Sequence, residues 1–122
     1  MKSVRQLFLV LGFLMTCVSL AEAHAFIDHA DPPVGCTMHG SPSMIKIWFT
    51  RKLNPALSRI EVFDSKGEEV DQHDVKIDSA DSTLLLVSVP RLAAGTYKVV
   101  WQAVCLDTHT TQGSFRFEVL SP

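Results

Sequence analysis

Ser114-Phe115-Arg116-Phe117-Glu118-Val119 is the stretch on which the fold turns. Phe115, Phe117 and Val119 alternate with Ser114, Arg116 and Glu118, which is the period of two of a strand with one buried and one wet face. The same pattern recurs upstream. Ile45, Ile47 and Phe49 alternate with Lys46, Trp48 and Thr50, and Thr96-Tyr97-Lys98-Val99-Val100-Trp101 follows the turn Leu92-Ala93-Ala94-Gly95. Ile60, Val62 and Phe63 favour a pleated surface, and Asp64-Ser65-Lys66-Gly67 supplies turn chemistry after them. Leu84 to Val89 is a continuous apolar run stopped by Pro90, as expected of a strand buried on both faces. Val70 to Ile77 reads as a polar edge strand interrupted by Asp71 and Asp74. Asp31-Pro32-Pro33-Val34-Gly35 is a rigid loop after a first short strand, because proline fixes φ and removes a ladder donor. No window sustains a helical period, and turns recur every ~8–12 residues, so the expectation is one all-β sandwich or barrel of about seven to eight strands.

The opening residues read as an address. Lys2 and Arg5 precede an apolar run from Leu7 to Leu20, and Ala21-Glu22-Ala23 is a small-x-small cleavage pattern. The run is shorter than the ~20 residues that span a bilayer core. Residues 1–23 are therefore expected to be a cleaved signal peptide, and residues 24–122 one domain beginning at His24. Of the 11 basic and 13 acidic side chains, Lys2, Arg5 and Glu22 leave with the leader, so nine and twelve remain and the net charge falls to −3. The charges are scattered without a basic run, which argues against a nucleic-acid partner. Cys36 and Cys105 remain after export, and two cysteines in an oxidising compartment suggest one disulfide between them.

A first-residue histidine offers a metal two nitrogens, the α-amine and the imidazole, in one chelate ring. Asp107-Thr108-His109 supplies two more donors, since residues two apart on a strand share a face about 6.6 Å apart. His24, Asp107 and His109 together would give three nitrogens and one oxygen, a set that suits Cu(II) better than Cu(I). On shared parity Cys105 could face the same ion, although a thiolate beside Cu(II) is prone to oxidation. His29, His39 and His73 have no supporting pattern, and His39 is placed in a loop with Met38.

These pieces together carry a family resemblance. His24-Ala25 follows the Ala-x-Ala site directly, Asp31-Pro32-Pro33-Val34-Gly35 is similar to S-x-P-A-x-G, and Leu92-x-x-Gly95-x-Tyr97-x-Val99-x-Trp101 also matches. Val104-Cys105-Leu106-Asp107-Thr108-His109-Thr110-Thr111-Gln112-Gly113-Ser114-Phe115-x-Phe117 resembles the closing motif V-S-x-D-x-H-x-x-x-G-x-[FY]-x-F. The chain in this respect resembles the CopC family of periplasmic copper-binding proteins, from His24 to about Leu120. The resemblance implies an immunoglobulin-like or cupredoxin-like β-sandwich that binds one Cu(II) through His24, Asp107 and His109. It implies work in copper resistance, homeostasis or import, with a CopD-type inner-membrane copper transport protein as partner. The chain departs from the family in lacking a methionine-rich Cu(I) cluster, with only Met38 and Met44 after the leader, and in carrying Arg51 where an acidic residue is common. A non-enzymatic carrier is the leading expectation. The alternative is a small copper-dependent oxidase using an amino-terminal histidine brace, which this short chain gives little substrate face to support.

Overall fold

The computed structural model describes residues 25–122. The leader expected over residues 1–23 and the ligand expected at His24 lie outside the described residues. In chain order the strands are β1 (Ile27–Asp31), β2 (Thr37–His39), β3 (Met44–Phe49), β4 (Arg59–Phe63), β5 (Lys76–Ile77), β6 (Leu84–Ser88), β7 (Gly95–Val104) and β8 (Thr110–Leu120). There is no helix among the described residues. One sheet has the order β1-β3-β6-β5 and the other β2-β8-β7-β4. All pairings are antiparallel except β2 with β8.

Alternation in sequence becomes alternation in burial. Ile45, Ile47 and Phe49 of β3 are buried, and so are Phe115, Phe117 and Val119 of β8, with their polar neighbours on the outer faces. Leu84 to Val87 of β6 are buried on both faces, as the unbroken apolar run foretold. The two sheets close over a single core. Among the described residues, the expectation of an all-β sandwich of about seven to eight strands holds, with eight strands present.

Two local expectations fail. His39 is not in a loop: it ends β2, where His39 pairs with Leu120. Only Lys76–Ile77 of the expected strand from Val70 to Ile77 joins a ladder. The Val70 amide donates to the Val62 carbonyl and the Gln72 amide to the Ser88 carbonyl, so this segment steps from the edge of one sheet to the other. Aspartates replace strand partners on the way. The Asp71 carboxylate accepts from the Val62 amide at 2.8 Å, and the Asp74 carboxylate from the Ser88 amide at 2.8 Å. Short acidic side chains compete for backbone donors in this way and end regular pairing.

The corner before β7 is held by Tyr97, whose hydroxyl donates to the Ala93 carbonyl at 2.7 Å while its ring stacks on Phe117. Burial, and to a smaller degree the Asp64 charge, push the phenol up from its ordinary value, which keeps it a donor. Tyr97→Phe is expected to cost about 1 kcal/mol, the net worth of one hydrogen bond. A urea titration should show a lower midpoint with an unchanged slope. An unchanged midpoint would mean that this hydroxyl contributes nothing to the fold.

Candidate metal centre

One end of the sandwich carries Asp107 and His109, two of the three expected ligands. β7 leaves its ladder after Val104, which pairs with Thr110, and Cys105 to His109 form the connecting loop. The loop is closed on itself: the Cys105 amide donates to the His109 carbonyl and the Thr108 amide to the Cys105 carbonyl, both at 2.9 Å. Thr108 sits at φ 73°, a left-handed conformation that a β-branched residue seldom adopts. Asp107 and His109 are thus brought together by a tight hairpin loop, not by the strand parity expected from their spacing. The correction changes their geometry, because a turn folds the two side chains toward each other where a strand would hold them parallel.

Their side chains are in contact. His109 Nδ1 lies 3.0 Å from Asp107 Oδ2, and the His109 amide donates to Asp107 Oδ1 at 3.3 Å. The hydrogen bond from the His109 ring, then that from its amide, holds the Asp107 carboxyl below its usual range, so it is an anion at neutral pH. Both side chains are more than half exposed, at 62% and 52%. A shallow depression beside them is lined by Arg51, Lys52, Cys105, Leu106 and Asp107. Arg51 therefore does stand next to the expected acidic ligand.

The start of the described chain is tied to this loop from both sheets. The Thr111 hydroxyl, two residues past His109, donates to the Ala25 carbonyl at 2.6 Å. On the other side the Thr50 amide donates to the Phe26 carbonyl at 2.9 Å, and the Phe26 amide to the Thr50 hydroxyl at 3.0 Å. Ala25 is fully buried between these anchors. Thr111 carries no metal-binding signal of its own in sequence, and its role is visible only through this long-range bond.

Cys105 does not face the loop's exterior. It continues the inward parity of Tyr97, Val99, Trp101 and Ala103, and it is buried in the core. The expected Cys36–Cys105 disulfide is also overturned, for both cysteines are free. The Cys36 carbonyl accepts from the Glu118 amide, whereas Cys105 follows the residue paired with Thr110. Glu118 and Thr110 are separated by about 26 Å of strand at ~3.3 Å per residue. A disulfide needs Cα atoms within about 7 Å. The cysteines sit at opposite ends of the sandwich.

His29 stacks on Trp48, with ring centroids 4.2 Å apart, and pairs with Asp28 at 2.6 Å on the outer face of β1. His73, which had no supporting pattern in sequence, lies with Glu69 and Asp71 in a second cluster of metal-type donors. The signal available was the alternation Glu69-x-Asp71-x-His73, hidden inside a stretch that resembles an ordinary polar edge.

The CopC domain family matches residues 27–120. Copper resistance protein C of Xanthomonas campestris pv. juglandis is 34% identical over 115 residues, covering 87% of this chain and 91% of that protein. Copper transport protein CutJ of Bacillus subtilis (strain 168) is 26% identical over 98% of this chain, which spans only 22% of that longer protein. The crystal structure of CopC from Methylosinus trichosporium OB3b superposes with a TM-score of 0.75 and 30% identity, covering 80% of this chain and 95% of that one.

Proposed function

This chain belongs to the CopC family, and from that premise we propose that it is an exported copper(II) carrier whose site is His24, Asp107 and His109. The observation that carries the reading is the bond from the Thr111 hydroxyl to the Ala25 carbonyl. It anchors the residue after His24 to the strand that begins just beyond His109. Consecutive Cα atoms are ~3.8 Å apart, so a histidine joined to Ala25 starts within side-chain reach of that loop. After cleavage behind Ala23, His24 offers its amine and imidazole, and the loop offers the His109 ring and the Asp107 anion. The donors present therefore fit Cu(II): three nitrogens with one carboxylate oxygen, and no thiolate or thioether among them.

Ligand exposure favours a carrier over an oxidase. Asp107 and His109 stand at a hairpin tip, more than half open to solvent, which lets another protein reach the ion. Enzymes acting on small substrates enclose them in a cleft. The membrane partner is proposed to be a CopD-type copper transport protein. The similarity to CutJ, named for copper transport and more than four times the length of the matched region, supports that coupling. The chain works outside the cytoplasmic membrane, in the periplasm, since the leader pattern of residues 1–23 directs export.

The test is a Cu(II) titration of two purified forms with electron paramagnetic resonance. One begins at His24, and the other carries Gly-Ser-Gly-Ser-Gly before it, a spacer that keeps His24 from being the third residue, where amine, two backbone amides and imidazole would themselves chelate Cu(II). The native-ended form is expected to bind one Cu(II) with nitrogen-rich coordination and the extended form to bind far more weakly. Because the amine must lose its proton, whose ordinary pKa is ~7.7–8.0, the difference is expected to widen as pH rises from about 6 to 8. Equal binding by the two forms removes the amino terminus from the site and overturns the proposal.

A further inference from the structure

We propose that Glu69, Asp71 and His73 form a second cation site that takes one borderline divalent metal ion, Zn(II) or Cu(II). It lies on the side wall where the chain crosses from β4 toward β5. Glu69 bridges Phe63, which pairs with Lys98 of β7, whereas the Asp107 loop starts at Cys105, just past the end of the same strand. That offset is about 23 Å of strand at ~3.3 Å per residue, so the two sites share no ligand.

Three observations carry the proposal. The first is spacing. His73 Nδ1 lies 3.2 Å from Glu69 Oε2 and 3.6 Å from Asp71 Oδ2, and all three donor atoms fall within 4.8 Å of one another. Four ligands bound tetrahedrally at ~2.0–2.2 Å stand about 3.4 Å apart, so this set is close to a tripod around one ion. The second is the burial of Asp71, whose side chain is only 1% exposed. Its Oδ1 is satisfied by the Val62 amide at 2.8 Å, whereas Oδ2 accepts the His73 amide at the longer 3.3 Å and faces His73 Nδ1 at 3.6 Å, with the Glu69 carboxyl hydrogen-bonded to Asp71 beside it. Among the described residues no lysine or arginine pairs with that buried carboxylate; its ion-pair partner is the His73 ring. An anion removed from water needs more compensation than one long amide contact. The third is the second carboxylate. Glu69 is pushed above its ordinary value, first by burial and then by the hydrogen bond and charge of Asp71, because two acids crowd one imidazole. A divalent ion balances both negative charges while the neutral imidazole supplies the nitrogen.

Two carboxylates and one imidazole, without sulfur, select against Cu(I). His73 is 72% exposed, so the remaining coordination position opens to solvent and to water as a fourth ligand.

The experiment is a Zn(II) titration followed residue by residue in 1H–15N NMR spectra, on the form beginning at His24 and on the form extended by the same five-residue spacer. Zn(II) is diamagnetic, so each amide reports its own site. The amides of Val62 and of residues 70–73 are expected to shift saturably with one equivalent, alike in both forms, whatever happens near Asp107. Glu69→Gln and His73→Gln alter side chains outside the hydrophobic core, leave the other amides in place, and should each weaken that response at least about tenfold. The proposal is overturned if these amides stay still under Zn(II), if they respond to pH alone, or if both variants respond as the parent does.

Discussion

Replacing His109 with alanine is expected to weaken copper(II) binding by about a hundredfold. Apparent binding energies of about 10–16 kcal/mol for four-ligand metal sites give about 3 kcal/mol per ligand, and 1.4 kcal/mol is a factor of ten. The change touches little else, because the His109 side chain is half exposed and lies outside the core. Its loss also frees Asp107, whose carboxylate is now held against the His109 ring at 3.0 Å. Thr111→Val is the informative companion. It keeps every ligand but removes the hydroxyl that holds the Ala25 carbonyl, so it should weaken copper binding less than His109→Ala. Competition titrations against a chelator of known affinity would rank the three proteins. If His109→Ala bound Cu(II) as tightly as the parent, the loop would not be part of the site.

Gly113→Val is expected to destabilise the fold strongly. Gly113 faces Trp101 across the β7–β8 ladder. A Cβ placed there would sit 2.8 Å from Trp101 Cζ2 and 3.1 Å from Cε2. The indole cannot simply retreat, because it is nearly buried and its ring meets Phe49 edge-on at 5.2 Å. Overpacking a core by a methylene or two costs about 1–3 kcal/mol, and the two further methyls of valine should take this to the upper end. For a domain of this size that is a fall in Tm of about 10–20 °C. Thermal unfolding followed by far-ultraviolet circular dichroism measures it, and a fall of less than about 4 °C, the low end of the range for one kilocalorie, would show that the indole has room to move. Gly113→Ala should lie between the parent and the valine variant.

The glycine of the closing motif is thereby accounted for by space. The indole that Trp101 lays over the ladder needs a partner without a side chain. Six and four residues upstream, the same motif carries two side chains, Asp107 and His109, that leave the ladder altogether. Reading Cys105, Asp107 and His109 by strand parity misplaced those side chains. A period of two says which residues share a face only while pairing continues, and the turn at Cys105–His109 ends it.

The cysteines show the same limit. Their number and their compartment suggest a bond, but only the register of β8 reveals that Cys36 and Cys105 belong to opposite ends of the sandwich. Glu69, Asp71 and His73 are the converse case. Their side chains converge because Asp71 turns inward to satisfy the Val62 amide of β4, and the alternation of the segment alone does not disclose that turn.

By itself the sequence determined the all-β class, the faces of the strands in the core, and the family motif that singles out His24, Asp107 and His109. Each of these is a local property: side chains alternate on a pleated backbone, and a motif is a run of neighbours. Only the tertiary structure decided which distant segments meet. It put Thr111 against Ala25, separated the two cysteines, and gathered a buried carboxylate with an exposed histidine on the side wall. Those meetings depend on strand register and sheet order, which are set by the packing of the whole core and leave no periodic trace in any one stretch of chain.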